Sequence, residues 1–265
     1  MHDYWLKQTA GKPLFPELEW SRPQHRRQAG KMLIVGGNAH GFAAAGDAYA
    51  AAGRAGIGTA RVLLPDVLQK TVGKVFAAGE YAPSTPSGSF SRQALAVSLD
   101  LSEWADSVLL AGDFGRNSET AVVLEQFAAK YAGPLTITKD AADYFVKTPL
   151  QLLDRENTLL VLSFAQLQKF AAGAGSARAF TFSMDLLRLV ETLHEFTTKH
   201  PAFIITKHLD TLFVAVGGQV STTKLDEDME IWRVKTAAAA AVWWLQNPNR
   251  SFEALTVAIA TSLGH

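Results

Sequence analysis

From Met32 onward the chain alternates short apolar runs with helical stretches, and no other feature constrains the possible folds as tightly. Met32 to Val35 is apolar, Gly36-Gly37 permits a tight turn, and the alanine-rich stretch Ala43 to Ala55 reads as a helix. A second strand, Ala60 to Leu64, stops at Pro65, and a third, Ser107 to Ala111, leads into Gly112-Asp113-Phe114-Gly115. Asn117 or Ser118 then caps a helix from about Glu119 to Tyr131, because a short polar side chain accepts bonds from the free N–H groups of a first turn; Gly133 ends it. Pro134 to Thr138 and Thr158 to Leu162 read as buried strands, followed by helical stretches at Asp140 to Phe145 and Gln166 to Ala172. Met184 to Thr198 is the clearest amphipathic helix, with Leu186, Leu187, Val190, Leu193, His194 and Phe196 toward one side and Arg188, Glu191, Glu195 and Lys199 favouring the other. Ala202 to Thr206 and Leu212 to Val216 are strands, Gly217-Gly218 is a two-residue hairpin turn, and Lys235 to Leu245 and Phe252 to Leu263 are closing helices. Units of this spacing imply an α/β fold: a mostly parallel sheet covered by helices on both faces, with one late antiparallel hairpin.

Residues 1–31 read differently. Pro13, Pro16 and Pro23 exclude a long helix, Arg22, His25, Arg26, Arg27 and Lys31 form a basic cluster, and Tyr4, Trp5, Phe15 and Trp20 need a surface to pack on. This segment is expected to be an arm lying on its own domain or on a neighbouring subunit, with residues 32–265 as a single α/β domain. The chain of 265 residues is 48% hydrophobic, enough for a substantial core. Its 25 basic and 25 acidic residues cancel, so neither nucleic acid nor an anionic membrane is an expected partner, while self-association into a homo-oligomer is tolerated. The absence of cysteine excludes disulfides and thiolate chemistry and fits a reducing compartment. No apolar run approaches the roughly 20 residues of a spanning helix and the start lacks a signal-peptide core, so a cytoplasmic location is expected.

Several residues invite a chemical reading. Gly36, Gly37 and Gly41 follow a strand, where a glycine turn either cradles phosphate or simply turns. Asp113 stands at the carboxyl end of a strand, where ligands of open α/β sheets bind; the alternative is a side chain that holds turn N–H groups. Lys207 at a strand end is placed to pair with a phosphate or to stay solvated. His40, His194, His200 and His208 lack zinc-ligand spacing, so no metal site is expected. Ser87 and Ser89 have no partnering base, and their loop, Glu80 to Ser91, is long enough for a lid or an oligomer contact.

The succession of motifs resembles the ADP/ATP-dependent NAD(P)H-hydrate dehydratases. Val35-Gly36-Gly37, the small-residue helix ending in Arg54-Ala55-Gly56-Ile57-Gly58 and the strand RVLLP resemble that family's opening. Ala111-Gly112-Asp113-Phe114-Gly115-Arg116 stands in place of its G-P-G-L-G-R turn, PLTITKDAADYF in place of the strand carrying D-A-D-A-L, and IITKHLDTLFVAVGGQV in place of the K-G-x-x-T strand and hairpin. The resemblance implies a ribokinase-like three-layer sandwich. It further implies ADP or ATP, with Mg, near Lys207 and Thr211, and a hydrated dinucleotide near Gly36, Gly37, Asn38, Gly112 and Asp113. Two of the family's elements are replaced. Ile231, Trp232, Arg233 and Val234 stand at the phosphate-binding G-T-G-D turn that also supplies the catalytic Asp, and VLSFAQLQKF, with Gln166 for the glutamate, replaces T-P-H-P-G-E. Bulky side chains obstruct the close approach of N–H groups to phosphate, and an amide neither holds a metal nor takes a proton well. The expectation is therefore a nucleotide- or dinucleotide-binding protein with impaired catalysis, a pseudoenzyme. The alternatives are an active dehydratase or small-molecule kinase whose base comes from Asp113 or from Asp226, Glu227, Asp228 or Glu230, and a non-catalytic assembly partner.

Overall fold

A computed structural model describes residues 3–74, 76–225 and 232–262. Its strands are β1 (Trp5–Thr9), β2 (Lys31–Gly36), β3 (Thr59–Pro65), β4 (Gly79–Ala82), β5 (Ser107–Gly112), β6 (Leu135–Thr138), β7 (Thr158–Ser163), β8 (Phe203–His208), β9 (Thr211–Val216) and β10 (Gln219–Lys224). They form one ten-stranded sheet in the order β1-β10-β9-β8-β7-β6-β5-β2-β3-β4, parallel throughout except that β9 runs antiparallel to both β8 and β10. Alternate side chains of a strand face opposite sides, and in β2 both sides are buried: Met32 and Ile34 enter one core, Leu33 and Val35 the other. Helices Ala43–Arg54, Arg233–Gln246 and Ser251–Ser262 cover the first core, and Ser118–Lys130, Phe164–Gly173 and Leu186–Lys199 the second. The mostly parallel α/β sandwich expected from the alternation is present.

Local chemistry sets the helix ends. Asn117 Oδ1 accepts from the N–H groups of Glu119 (2.8 Å) and Thr120 (3.3 Å), which makes it the cap of Ser118–Lys130. Helix Phe164–Gly173 begins before the expected Gln166, because Ser163 and Gln166 form a reciprocal capping box. Gly217 and Gly218, at φ +54° and +83°, make the turn between β9 and β10. The helix Ala94–Trp104 was not foreseen, since its fully buried positions are Ala94, Ser98 and Ser102 and no apolar stripe marks it. The short edge strand β4 overlaps the start of the segment expected to be a loop, Glu80 to Ser91. In the proline-rich segment, Trp5–Thr9 joins the sheet as β1, parallel to β10. Gln8 locks it: Nε2 donates to Thr223 Oγ1 (3.0 Å) and the Thr256 carbonyl (2.7 Å), while Oε1 accepts from Leu14 N (3.1 Å).

Candidate functional site

Strands β2, β5, β6, β7 and β8 are mutually parallel, so their carboxyl ends share one edge, where open α/β sheets bind ligands. Gly36, Gly37, Asn38, Gly112 and Asp113 meet there. A Cβ on Gly36 would fall 2.6 Å from the Gly112 carbonyl, so glycine lets the two strand ends touch. Gly37 N donates to that carbonyl (3.0 Å), and Asn38 Nδ2 donates to the Asp113 carbonyl (2.6 Å). The turn after β2 then closes on itself: the N–H groups of Asn38 and Gly41 bond each other's carbonyls, His40 N donates to Asn38 Oδ1, and Ala39 N donates to the Gly88 carbonyl. Every N–H from Gly37 to Gly41 is bonded to a protein acceptor, so this turn presents none of the converging donors that a phosphate needs.

Asp113 sits at φ +60° and Lys139, just beyond β6, at φ +51°, a region that side chains other than glycine rarely occupy. Their charged groups meet, Lys139 Nζ lying 2.6 Å from Asp113 Oδ1. Asp113 Oδ2 accepts from Ala44 N (2.7 Å) at the start of helix Ala43–Arg54. Behind this pair, Asp140 Oδ1 accepts from Asp113 N (2.7 Å) and Oδ2 from Gly115 N (3.2 Å). Such positive-φ residues cost about 1–3 kcal/mol each and cluster where function holds a backbone in place. Burial pushes the Asp140 carboxyl up, against the opposing effect of the N–H groups of Asp113 and Gly115. Because the folded value is raised, the protonated carboxyl favours the fold, and that contribution is lost as pH rises through the raised value. A carboxyl-resolved NMR titration is expected to place the Asp140 midpoint above the ordinary aspartate value of 3.8; a midpoint below it would contradict the burial seen here.

A cavity of about 520 Å³ opens beside this network, lined among others by Gly115, Arg116, Asp140, Asp143 and Tyr144. Tyr144 donates its hydroxyl proton to the Gly115 carbonyl. Gln166 ties the next layer together: Nε2 donates to the Lys139 carbonyl (2.7 Å) and Asp143 Oδ1 (2.9 Å), and Oε1 accepts from Arg233 Nη1 (3.1 Å). Arg233 is thus held at the first position of helix Arg233–Gln246, where the helix dipole disfavours a cation. Burial lowers its pKa, and the nearby Asp143 and Asp140 oppose that shift. Trp232 and Val234 were expected to fill the phosphate space, but both turn into the core, 8% and 2% exposed, and Arg233 is the residue that reaches the network. Ile231 and the acids Asp226, Glu227, Asp228 and Glu230 lie outside the described residues.

Lys207 and Thr211 belong to the same edge but not to the same cluster. They sit on β8 and β9, and β8 is three strand spacings from β5, roughly 14 Å at about 4.8 Å each. The Ser87 hydroxyl accepts from Asn117 Nδ2 (3.0 Å), and the loop around it is braced by Thr85 N to Ser89 O (2.7 Å) and Ser91 N to Pro83 O (3.0 Å). His200 is buried against Asp154 (2.6 Å) and His208 against the Phe164 ring (4.4 Å between centroids). Among the described residues no group of three or more His, Asp or Glu side chains is placed to hold a metal ion, and no helix is long and apolar enough to cross a membrane. Lys139, Asp140, Asp143 and Tyr144 stand in the sequence only as part of PLTITKDAADYF, with no site role marked by it. Their position directly after an apolar strand was the available signal, but nothing in a lysine announces a left-handed backbone.

No protein-family model matches the chain, and no curated protein sequence does either. Solved structures do. A ribokinase-like superfamily protein from Enterococcus faecalis V583 superposes with a TM-score of 0.75 at 14% identity, over 99% of this chain and 87% of that one. A protein from Streptococcus mutans gives 0.68 at 14% identity, over 93% and 86% of the two chains. The ADP/ATP-dependent NAD(P)H-hydrate dehydratase from Bacillus subtilis, co-crystallized with ATP/Mg2+, gives 0.61 at 13% identity, over 95% and 87%. At such identities the likeness shows the fold alone, and that fold is the ribokinase-like α/β sandwich.

Proposed function

We propose that this chain is a divergent relative of the NAD(P)H-hydrate dehydratases that binds a nucleotide or dinucleotide at the carboxyl edge of β2, β5 and β6 without efficient turnover. The observation that carries this reading is the pair of charged positive-φ residues, Asp113 and Lys139, held in contact beside an open cavity. Backbone strain of that kind is retained where a ligand gains from the resulting geometry. Arg116 occupies the last place of the turn resembling G-P-G-L-G-R, lines the cavity and is exposed, so a phosphate of the ligand has a cation to meet.

The described residues do not fit a phosphoryl donor at the start of helix Arg233–Gln246. A phosphate there is held by closely approaching N–H groups; Trp232, Arg233 and Val234 put side chains where glycine would leave the backbone open, and Arg233 is partly buried and bonded to Gln166. No step through ADP, ATP or Mg is therefore derived, and Lys207 and Thr211 stay in the proposal only as a secondary contact for a nucleotide. Self-association is a further part of it, supported by the exposed Trp20 (88%), Phe182 (62%) and Leu209 (77%); light scattering that finds only monomer would remove it.

Calorimetry with NADH, NADPH, ADP and ATP tests the site. Saturable binding of at least one dinucleotide or nucleotide is expected, weakened about tenfold in Arg116→Ala, the loss of one charge-assisted contact. Absence of binding by all four, or affinity unchanged by the substitution, would reject the assignment.

A further inference from the structure

A second cavity, of about 590 Å³, lies in the layer of helices on the first core, where Ala43–Arg54, Arg233–Gln246 and the end of Ser251–Ser262 come together. Its floor is small and apolar, with Ala51, Ala239 and Trp243 buried, and its charged lining residues are Arg22, Arg54 and Lys235, with no acid among them. The charged side chains that line this cavity are therefore all cations, in a chain with 25 basic and 25 acidic residues.

The Arg22 guanidinium lies over the Trp243 ring, 4.5 Å from the centroid, and donates one N–H, from Nη2, to the Ala55 carbonyl. The seat depends on Gly56, at φ +84°, where a Cβ would come within 2.5 Å of Nη2. A guanidinium has five N–H donors, and the Ala55 carbonyl takes one of them. The group is partly buried, burial lowers its pKa, and Glu19 is the acid that opposes this shift. No carboxylate among the described residues lies within 4.0 Å of Arg22, Arg54 or Lys235. A partly desolvated cation whose acid neighbour, Glu19, stands beyond ion-pair distance is costly, and an anion in the cavity offsets that cost. The hydroxyls of Thr261 and Ser262 are spent on carbonyls of their own helix, at 3.0 and 3.2 Å, so recognition falls to the three cations and the Thr236 hydroxyl.

We propose that this cavity is a second binding site, separate from the carboxyl-edge site, for the phosphate or diphosphate group of a small soluble molecule. Three cations suit a multiply charged anion, because a single carboxylate neutralises only one of them. Arginine's planar fork meets two phosphate oxygens at once, and the apolar floor and the volume, within the roughly 300–1,000 Å³ of small-molecule sites, accommodate the remainder of a nucleotide-sized ligand. The site shares no lining residue with the cavity beside Asp140.

Inorganic diphosphate is the probe, titrated calorimetrically into the full chain at low salt. Saturable binding is expected that persists in Arg116→Ala, which removes only the carboxyl-edge cation, and is weakened about tenfold or more in the double variant Arg54→Ala/Lys235→Ala. Both substituted side chains are exposed, so folding is not at stake, and unaltered thermal melting confirms that. No saturable binding at millimolar diphosphate, or equal affinity in the double variant, overturns the proposal. Binding lost in Arg116→Ala but kept in the double variant also overturns it, since it would place diphosphate at the carboxyl edge.

Discussion

Replacing Arg155 by alanine is expected to destabilise the fold by about 3–5 kcal/mol, the range for removing a partly buried charged group that holds several polar partners. The guanidinium donates to the carbonyls of Ala128 (3.3 Å), Tyr131, Gly133 (2.8 Å), Glu156 (3.1 Å) and Asn157 (3.1 Å), and to Thr158 Oγ1 (2.9 Å). It thereby joins the end of helix Ser118–Lys130 to the turn that enters β7, beside the backbone bond from Leu135 N to the Asn157 carbonyl (2.9 Å). Burial lowers its pKa, with the nearby Tyr131 opposing, and the same burial holds the Tyr131 hydroxyl up at about 12. Alanine would leave carbonyls at a helix end without donors, whereas Arg155→Lys keeps the charge but loses the fork and should cost clearly less. Urea unfolding monitored by tryptophan fluorescence measures both; an alanine variant within about 1 kcal/mol of wild type would show that water replaces the guanidinium freely.

Nucleotide-dependent dehydration of hydrated NADH is expected to run about a hundred to ten thousand fold below that of an enzyme with a positioned acid-base group, the usual cost of losing one. The reason is the polar network rather than the fold. Gln166 is committed to its capping box, to Asp143 and to Arg233, and Arg233 stands at the helix start where a phosphate would need bare N–H groups. Restoration of dinucleotide absorbance in the presence of ADP or ATP with Mg is the measurement. Turnover within about tenfold of such an enzyme would show that another acid has taken the role, with Asp140 first to be replaced by asparagine. In the same experiment ATP affinity should change little in Lys207→Ala; micromolar binding that collapses in that variant would locate an intact phosphate site at β8.

Much of the architecture was legible because the inner strands bury both faces and several covering helices are set by local rules. The apolar runs from Met32, Ser107 and Thr158, the Asn117 cap and the Gly217-Gly218 turn depend on side-chain chemistry within a few residues, and the structure contains them. Elements whose evidence lies elsewhere in the chain were not readable. Helix Ala94–Trp104 packs small residues inward, so its period is faint, and β1 exists because β10 and the Gln8 partners Thr223 and Thr256, more than two hundred residues away, complete it.

The candidate site divides along the same line. By itself the sequence determined that strand ends bearing Gly36, Gly37, Gly112 and Asp113 would have acids and glycines at hand, because strand and turn follow from residue type. Only the tertiary structure decided that the glycine turn spends its N–H groups internally, that Lys139 adopts a left-handed backbone to reach Asp113, and that Gln166 captures Arg233. Those outcomes are long-range pairings between separate strand ends, and a hydrogen bond's partner is fixed by which ends the sheet order brings together, information that no local run of residues contains.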